Sequence, residues 1–385
     1  MTQVDQLTTL RTTRAGVDLT AIVHNLAQIR RLVGENVEIL AVVKADAYGH
    51  GAVQVARTCE RAGVAMLGVA MVEEGMELRA AGIRLPILVQ CCTSGTEINA
   101  ALESKLTLTV ASSEFAKELS EAASKAGVTA TVHADIDTGM GRIGFAPENA
   151  VDEIAKIADL PGMKVDGIYT HFSTSEIEDD SFTLGQLELF EKLVSSLSAG
   201  GLRPLRVHAA NSGAVINYPQ SHLTLVRPGL ILYGVYPHRK LKEKVNLKAA
   251  LKFESSIVFI KDISAGTPLG YGRTFVAPES MRIATANVGY ADGYPWRLSN
   301  KASVIVRGKL VRVVGRVSMD QLLIDVGSVP DAELGDTVTL LGRGGTESIS
   351  AEELAEWADT IPYEILCGIG KRVPREYIGD THART

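Results

Sequence analysis

Apolar positions first repeat at helical spacing. Over residues 17–34, Ile22, Leu26, Ile29 and Val33 share one face of a 3.6-residue period. Asp18 or Thr20 can cap the start of this helix and Gly34 can end it. The period then changes. Short β-branched and apolar runs fall near 37–43, 65–70, 85–90, 106–110, 130–136, 165–170, 205–210 and 223–227, with helical stretches between them. Strand–helix alternation implies parallel pairing. Eight such units predict an α/β fold built as a closed (β/α)8 barrel of TIM type; an open doubly wound sheet is the alternative. Near residue 245 the rhythm changes again. From Ala250 to Leu341 strands follow one another through Gly- and Pro-containing turns, and one late helix is expected where Ser350 and Glu353 are spaced as a capping box. The expected organisation is a polar tail over 1–12, a barrel over 13–245 and a C-terminal β-rich domain over 246–385.

Composition narrows the classes of function. The chain has 385 residues, a net charge of −6, 46% hydrophobic and 22% charged residues. That balance is ordinary for a globular protein and gives no reason to expect nucleic acid or an anionic membrane as partner. No apolar run approaches the roughly twenty residues that span a bilayer. The N-terminal stretch lacks an apolar signal core, and Cys59, Cys91, Cys92 and Cys367 include no C-x-x-C pair. They read as free thiols in a reducing compartment, so a cytoplasmic location is expected.

Barrel active sites gather at the C-terminal ends of the strands, which makes the residues after each apolar run the candidates. Lys44 follows the first run and Arg142 closes D-T-G-M-G-R after the fifth. Thr170 and His171 follow the sixth, Asn211 and Ser212 the seventh, and Arg227-Pro228-Gly229 the eighth. A rim of one lysine, two arginines and a histidine suits an anion bearing phosphate and carboxylate. A lysine after four apolar residues, beside other cations, is disposed to lose its proton and form a Schiff base. Tyr48, Ser212 and Gly229 offer donors for a phosphate.

Nine segments, in order, resemble the alanine racemase family, fold-type III pyridoxal-phosphate (PLP) enzymes. They are A-V-V-K-A-D-A-Y-G-H-G (41–51), D-T-G-M-G-R-I-G (137–144), T-H-F (170–172), H-A-A-N-S (208–212), V-R-P-G-L-I-L-Y-G (226–234), G-Y-G-R-T (270–274), G-Y-A-D-G-Y-P (289–295), V-G-R-V-S-M-D (314–320) and R-V-P-R (372–375). The resemblance covers nearly the whole chain. It implies PLP held by Lys44, with Lys44 and Tyr271 as opposing acid/base groups. A phenol releases its proton near pH 10, so Tyr271 needs a neighbour that makes it basic; the resemblance points to His171, backed by Arg227. Arg227 is implied as the partner of the pyridine nitrogen. An arginine does not give up its proton, so that nitrogen stays neutral and the ring is a weaker electron sink, which suits racemisation over transamination. Tyr48, Asn211, Ser212, Gly229 and Leu230 are implied around the cofactor, Gly229 and Leu230 through backbone amides. Arg142 and the backbone of Met319 are implied at the substrate carboxylate, and Tyr290 at the entrance, with Asp320 in support. The resemblance further implies a head-to-tail homodimer in which Tyr271, Tyr290 and Met319 come from the neighbouring subunit, and D-alanine supply for the bacterial cell wall.

Three positions depart from the family pattern. Asp135 stands where a carbamylated lysine steadies the active-site arginine; its carboxylate is expected to orient Arg142 directly. A metal pair of Asp135 and Asp137 is disfavoured, because no third ligand accompanies them at ligand spacing. Ser318 replaces a common cysteine, and Lys371 replaces a tyrosine near the phosphate. These changes bear on specificity, so serine or a broader substrate range stands beside alanine. A PLP decarboxylase would want a carboxylate where Arg227 stands. A PLP carrier would lack the β domain and the opposing tyrosine.

Overall fold

The computed structural model describes residues 12–379; all but the last residue of the expected 1–12 tail lies outside them. Strand β1 (Arg14–Asp18) leads into α1 (Leu19–Val33). The Asp18 carboxylate accepts from the amides of Thr20 (2.8 Å) and Ala21 (3.2 Å), so Asp18 is the cap. Gly34, at φ 79°, ends the helix. Ile22, Leu26, Ile29 and Val33 are buried, as the periodicity requires.

Each of the eight apolar runs forms a strand: β2 (Glu38–Val42), β3 (Met66–Val69), β4 (Ile87–Val89), β5 (Thr107–Val110), β6 (Ala130–Asp135), β7 (Met163–Tyr169), β8 (Arg206–His208) and β9 (Leu225–Val226). All pair in parallel, in the order β8-β7-β6-β5-β4-β3-β2-β9. The last strand pairs with the first, Glu38 opposite Leu225 and Ile39 opposite Val226, which excludes the open sheet. Two amides bridge the remaining seam between β8 and β9: Thr224 N to Val207 O (3.1 Å) and Arg227 N to Ala210 O (2.9 Å).

The later strands are β10 (Leu251–Ile263), β11 (Pro268–Leu269), β12 (Phe275–Val276), β13 (Met281–Ala286), β14 (Ser303–Val306), β15 (Lys309–Arg312), β16 (Leu322–Asp325), β17 (Thr337–Gly344), β18 (Glu347–Ile349) and β19 (Arg375–Ile378). Nine-stranded pairing runs β15-β14-β17-β10-β1-β19, with β13, β16 and β18 attached to its side. Strand β1, which falls within the stretch read as barrel, is therefore part of this second sheet: it lies antiparallel to β10 and parallel to β19. Within the described residues, the two compact units are 22–47 with 52–247, and 12–21 with 48–51 and 248–379. The Ser350–Glu353 capping box forms, each backbone amide donating to the other side chain (2.8 and 3.2 Å). A second late helix, Pro362–Gly368, follows; its proline sits at the first turn, where φ is preset and no amide is needed. Among the described residues no helix is long and apolar enough to cross a membrane.

Candidate active site at the barrel mouth

Buried Leu40–Val43 deliver Lys44 to the C-terminal end of β2. The chain then does something unusual. Ala45, Asp46, Ala47 and Tyr48 all take φ of 52–53°, and Gly49 and Gly51 follow at 79° and 91°. Each non-glycine residue in this left-handed region costs roughly 1–2 kcal/mol, so the turn persists only because its surroundings over-determine it. Glu74 does much of that: one carboxylate oxygen accepts from Ala45 N (2.6 Å), the other from Ala70 N (2.7 Å). Asp46 accepts from Ala52 N (2.7 Å), and His50 Nδ1 donates to the Tyr48 carbonyl (2.9 Å). Neither glycine tolerates a side chain: a Cβ on Gly49 would meet Leu366 O at 2.4 Å, and one on Gly51 the Tyr377 hydroxyl at 1.8 Å. Tyr48 itself belongs with the second unit, its ring 5.9 Å from that of Tyr363. Burial, reinforced by Tyr363 and Cys367, pushes its phenol far above the ordinary range.

Arg227 leaves β9 into the barrel interior and is 3% exposed. Its Nη1 donates to His208 Nδ1 (2.7 Å). Its Nη2 reaches Thr170 O (2.7 Å), Ala209 O (3.1 Å) and His171 Nδ1 (3.3 Å). No carboxylate pairs with it among the described residues. Burial lowers its pKa to about 10, with Arg142 adding and Tyr169 and Asp135 opposing. Because an arginine only donates, His171 must accept at Nδ1 and carry its proton at Nε2. His171 is held down to about 3, first by burial and then by Arg227, Arg142 and Lys44. Three cations thus act on one imidazole, so the sequence-predicted Lys44, Arg142, His171 and Arg227 do converge. Such a positive mouth, centred on a buried guanidinium, calls for an anion.

Ser212 Oγ accepts from Gly229 N (2.9 Å). The Gly229 amide, expected to face a phosphate, is thus engaged by the serine, whose hydroxyl remains able to donate. Asn211 caps helix Ser212–Asn217: Oδ1 accepts from Ala214 N (3.1 Å) and Ser175 Oγ (2.7 Å), while Nδ2 donates to Phe172 O (3.2 Å). Its side chain positions Ser212. Leu230 is buried in the turn that follows Gly229.

Asp135 corrects an expectation. Its carboxyl is 4% exposed and makes no ion pair with Arg142, which is exposed on its loop. Burial raises its pKa to about 7, against the pull of Arg227, Tyr169 and Arg142. It is a partly protonated neighbour of the arginines rather than a permanent anion. Asp137 instead closes the D-T-G-M-G turn, accepting from Gly139 N and Gly141 N at 3.0 Å each.

In the second unit, three loops pack against one another. A Cβ on Gly289 would lie 2.2 Å from Ser318 O, and one on Gly270 3.3 Å from Arg316 N. Tyr290 N and Ala291 N donate to Ser318 O and Met319 O, each at 3.0 Å. These loops display Tyr271 (71% exposed), Tyr290 and Met319. Asp320 accepts from Arg372 Nη2 (2.8 Å), whose Nε pairs with buried Asp292 (3.0 Å).

Sequence reasoning missed Glu74, Tyr169, His133 and His208. Glu74 carries no motif. The other three are polar or aromatic residues inside otherwise apolar barrel strands; alternation places His133 with Asp135 and Tyr169 with His171 on shared faces.

The residues fit a phosphate-bearing pyridine cofactor on two observations: a buried guanidinium with only neutral acceptors, and a mouth where three cations act together.

The family profile described as "Alanine racemase, N-terminal domain" matches residues 17–237, and "Alanine racemase, C-terminal domain" matches 250–377. A curated relative from Desulforamulus reducens, "Alanine racemase", is 46% identical over 95% of this chain and 98% of its own. Among solved structures, "alanine racemase" of Clostridium difficile 630 superposes with a TM-score of 0.92 at 38% identity over 96% of both chains. The enzyme from Bartonella henselae "with covalently bound pyridoxal phosphate" gives 0.86 at 30% identity, covering 95% of this chain and 99% of that one.

Proposed function

The chain belongs to the alanine racemase family, and from that premise we propose that it interconverts L- and D-alanine on PLP with Lys44 and Tyr271 as its two bases. Its reaction is a PLP-dependent isomerisation of alanine; the relatives' names narrow the substrate from alanine-or-serine to alanine. When bound, the cofactor supplies the electron sink that acidifies the substrate's α-carbon.

Lys44 Nζ would hold the cofactor and, once released, takes or returns the α-proton on one face. Tyr271 Oη serves the other face, with the Nε2–H of His171 as its hydrogen-bond donor. Arg227 would meet the pyridine nitrogen as a donor that cannot surrender its proton, which keeps the ring neutral. Tyr48, Ser212 and the Leu230 amide would hold the phosphate, with Asn211 and Gly229 fixing Ser212. Arg142 and the Met319 backbone would hold the substrate carboxylate; Tyr290 lines the entrance and Asp320 steadies its neighbouring loop through Arg372.

The exposure of Tyr271, Tyr290 and Met319 supports a head-to-tail homodimer in which these three serve the neighbouring copy's barrel. D-alanine made in the cytoplasm for cell-wall synthesis is the physiological role this reading carries.

The observation that carries the proposal is the cationic mouth centred on His171, with Arg227 bonded only to neutral acceptors. The test is a chiral assay in deuterium oxide over a panel of small amino acids, with Lys44→Ala as control. Inversion of alanine with α-deuteration is expected. Absence of both inversion and exchange for alanine would remove the proposal.

A further inference from the structure

Beyond the Nη1 of Arg227, the barrel interior holds two more buried imidazoles, His208 and His133. We infer that Arg227, His208 and His133 form a one-way hydrogen-bonded line, in which His208 and His133 are positioning residues that hold Arg227 fully charged without a carboxylate. The inference rests on the reading that Arg227 meets the cofactor's pyridine nitrogen.

The direction of the line follows from chemistry. Arg227 Nη1 donates to His208 Nδ1 at 2.7 Å. Since arginine has no acceptor, His208 carries its proton at Nε2. That nitrogen lies 2.8 Å from His133 Nδ1, so His133 accepts there and carries its own proton at Nε2. His133 Nε2 is buried and has no acceptor among the described residues. Every proton is thereby assigned, and the one unmatched donor is moved two side chains away from Arg227.

Packing holds the line rigid. The Tyr169 ring stacks on His208 at 4.9 Å and 8°, and the Arg227 guanidinium lies 5.1 Å from the same ring. Tyr169 is anchored at its hydroxyl by Thr109 (2.9 Å). The His133 ring fills the space above Gly167, where a Cβ would come within 2.6 Å of three ring atoms. Both histidines are fully buried. Burial keeps both imidazoles neutral: His133 is lowered to about 3 and His208 well below the ordinary value, with Arg227 adding in each case and Asp166 opposing for His133.

A carboxylate at position 208 would satisfy Arg227 equally well, but it would cancel the charge that faces the cofactor. A neutral imidazole fixes the guanidinium plane and leaves its charge intact, and it can be such an acceptor only if its other nitrogen is served, which His133 does.

The test uses the full-length holoenzyme labelled with 15N-histidine, the two resonance sets being assigned by their loss in His208→Gln and His133→Gln. Both rings are expected as neutral Nε2–H tautomers from pH 5 to 9. PLP affinity, read by absorbance titration, is expected to fall roughly 10- to 100-fold in His208→Leu, the range for losing a hydrogen bond to a charged group. It recovers in His208→Gln, whose amide oxygen can accept from Arg227, and falls less in His133→Leu. An Nδ1–H tautomer or a charged ring at 208, or unchanged PLP affinity in a folded His208→Leu, overturns the inference. Failure of the underlying reading looks different: the wild-type chain then takes up no PLP, and the tautomers still decide the line.

Discussion

The two regions that carry the candidate chemistry are built in opposite ways. At the barrel mouth, Arg227 and Asp135 are almost wholly buried, and four successive residues after Lys44 hold a backbone conformation that only tight surroundings maintain. In the second unit, Tyr271 is 71% exposed on a three-residue turn flanked by Gly270 and Gly272, both at φ 70°. One half is preorganised by burial; the other is presented on short glycine-bounded loops. The difference teaches where each mutation should be felt. Changes at the mouth should strike stability and chemistry together, while changes on the displayed loops should strike chemistry alone.

The largest contrast is expected from Lys44→Ala against Tyr271→Phe. Lys44→Ala should abolish retention of cofactor and lower turnover by about 10^4-fold, and Tyr271→Phe should lower it by about 10^2- to 10^4-fold, the span for a single acid–base group. Only Tyr271→Phe should keep α-proton exchange with one enantiomer. Its unfolding midpoint should match the wild type, because Tyr271 is 71% exposed within its own chain and its hydroxyl fills no space in that chain's core. A large drop in that midpoint would break the comparison.

Next in size is Glu74→Ala. It strips acceptors from exposed Ala45 N and part-buried Ala70 N, a loss of about 0.5–1.5 kcal/mol for each hydrogen bond. Denaturant unfolding should register the loss, and PLP affinity should fall with it. If stability falls and PLP affinity does not, the left-handed turn is not what seats Lys44.

Asp135 sharpens the comparison through pH. Its native pKa of about 7 lies above its ordinary 3.8, so between those values the folded state binds the extra proton. Stability from this group is full below about 3.8 and is lost as pH rises through 7. Asp135→Asn should therefore raise the unfolding midpoint above pH 7 and leave it unchanged below about pH 4. The smallest effect is on substrate: because Asp135 makes no ion pair with Arg142, Asp135→Ala and Asp135→Glu should both leave KM for alanine near the wild-type value. A several-fold rise in KM for Asp135→Ala would reinstate a direct hold of this side chain on Arg142.

Much of the barrel was legible because its strands are short apolar runs separated by helical periods, and each expected run is a strand. Closure was expected from the count of eight units, and the pairing of Glu38 with Leu225, far apart in sequence, bears it out. Strand β1 escaped, since five residues of alternating burial do not announce which sheet they join. At the site, Lys44, His171 and Arg227 stood out as polar residues ending apolar runs. The left-handed turn did not, because A-D-A-Y is a sequence that ordinarily avoids it; only Gly49 and Gly51 hinted at a constraint. His133 and His208 were invisible for a related reason. A histidine inside a strand looks the same whether it fills space or transmits a bond, and only the partner of its second nitrogen tells the two apart.

The glycine at 49 has a further meaning. Its carbonyl accepts from Arg375 Nε (3.0 Å), its α-carbon sits against Leu366, and Gly51 sits against Tyr377. The turn that follows the reactive lysine is thus completed by residues made more than three hundred positions later. During synthesis from the N-terminus, a ribosome that has finished the eight barrel strands holds a lysine turn bonded by Glu74 but still lacking its contacts at Gly49 and Gly51. Nascent or C-terminally clipped chains should accordingly capture cofactor more weakly than the full chain, which makes arrival of the final strand the event that finishes the lysine's seat.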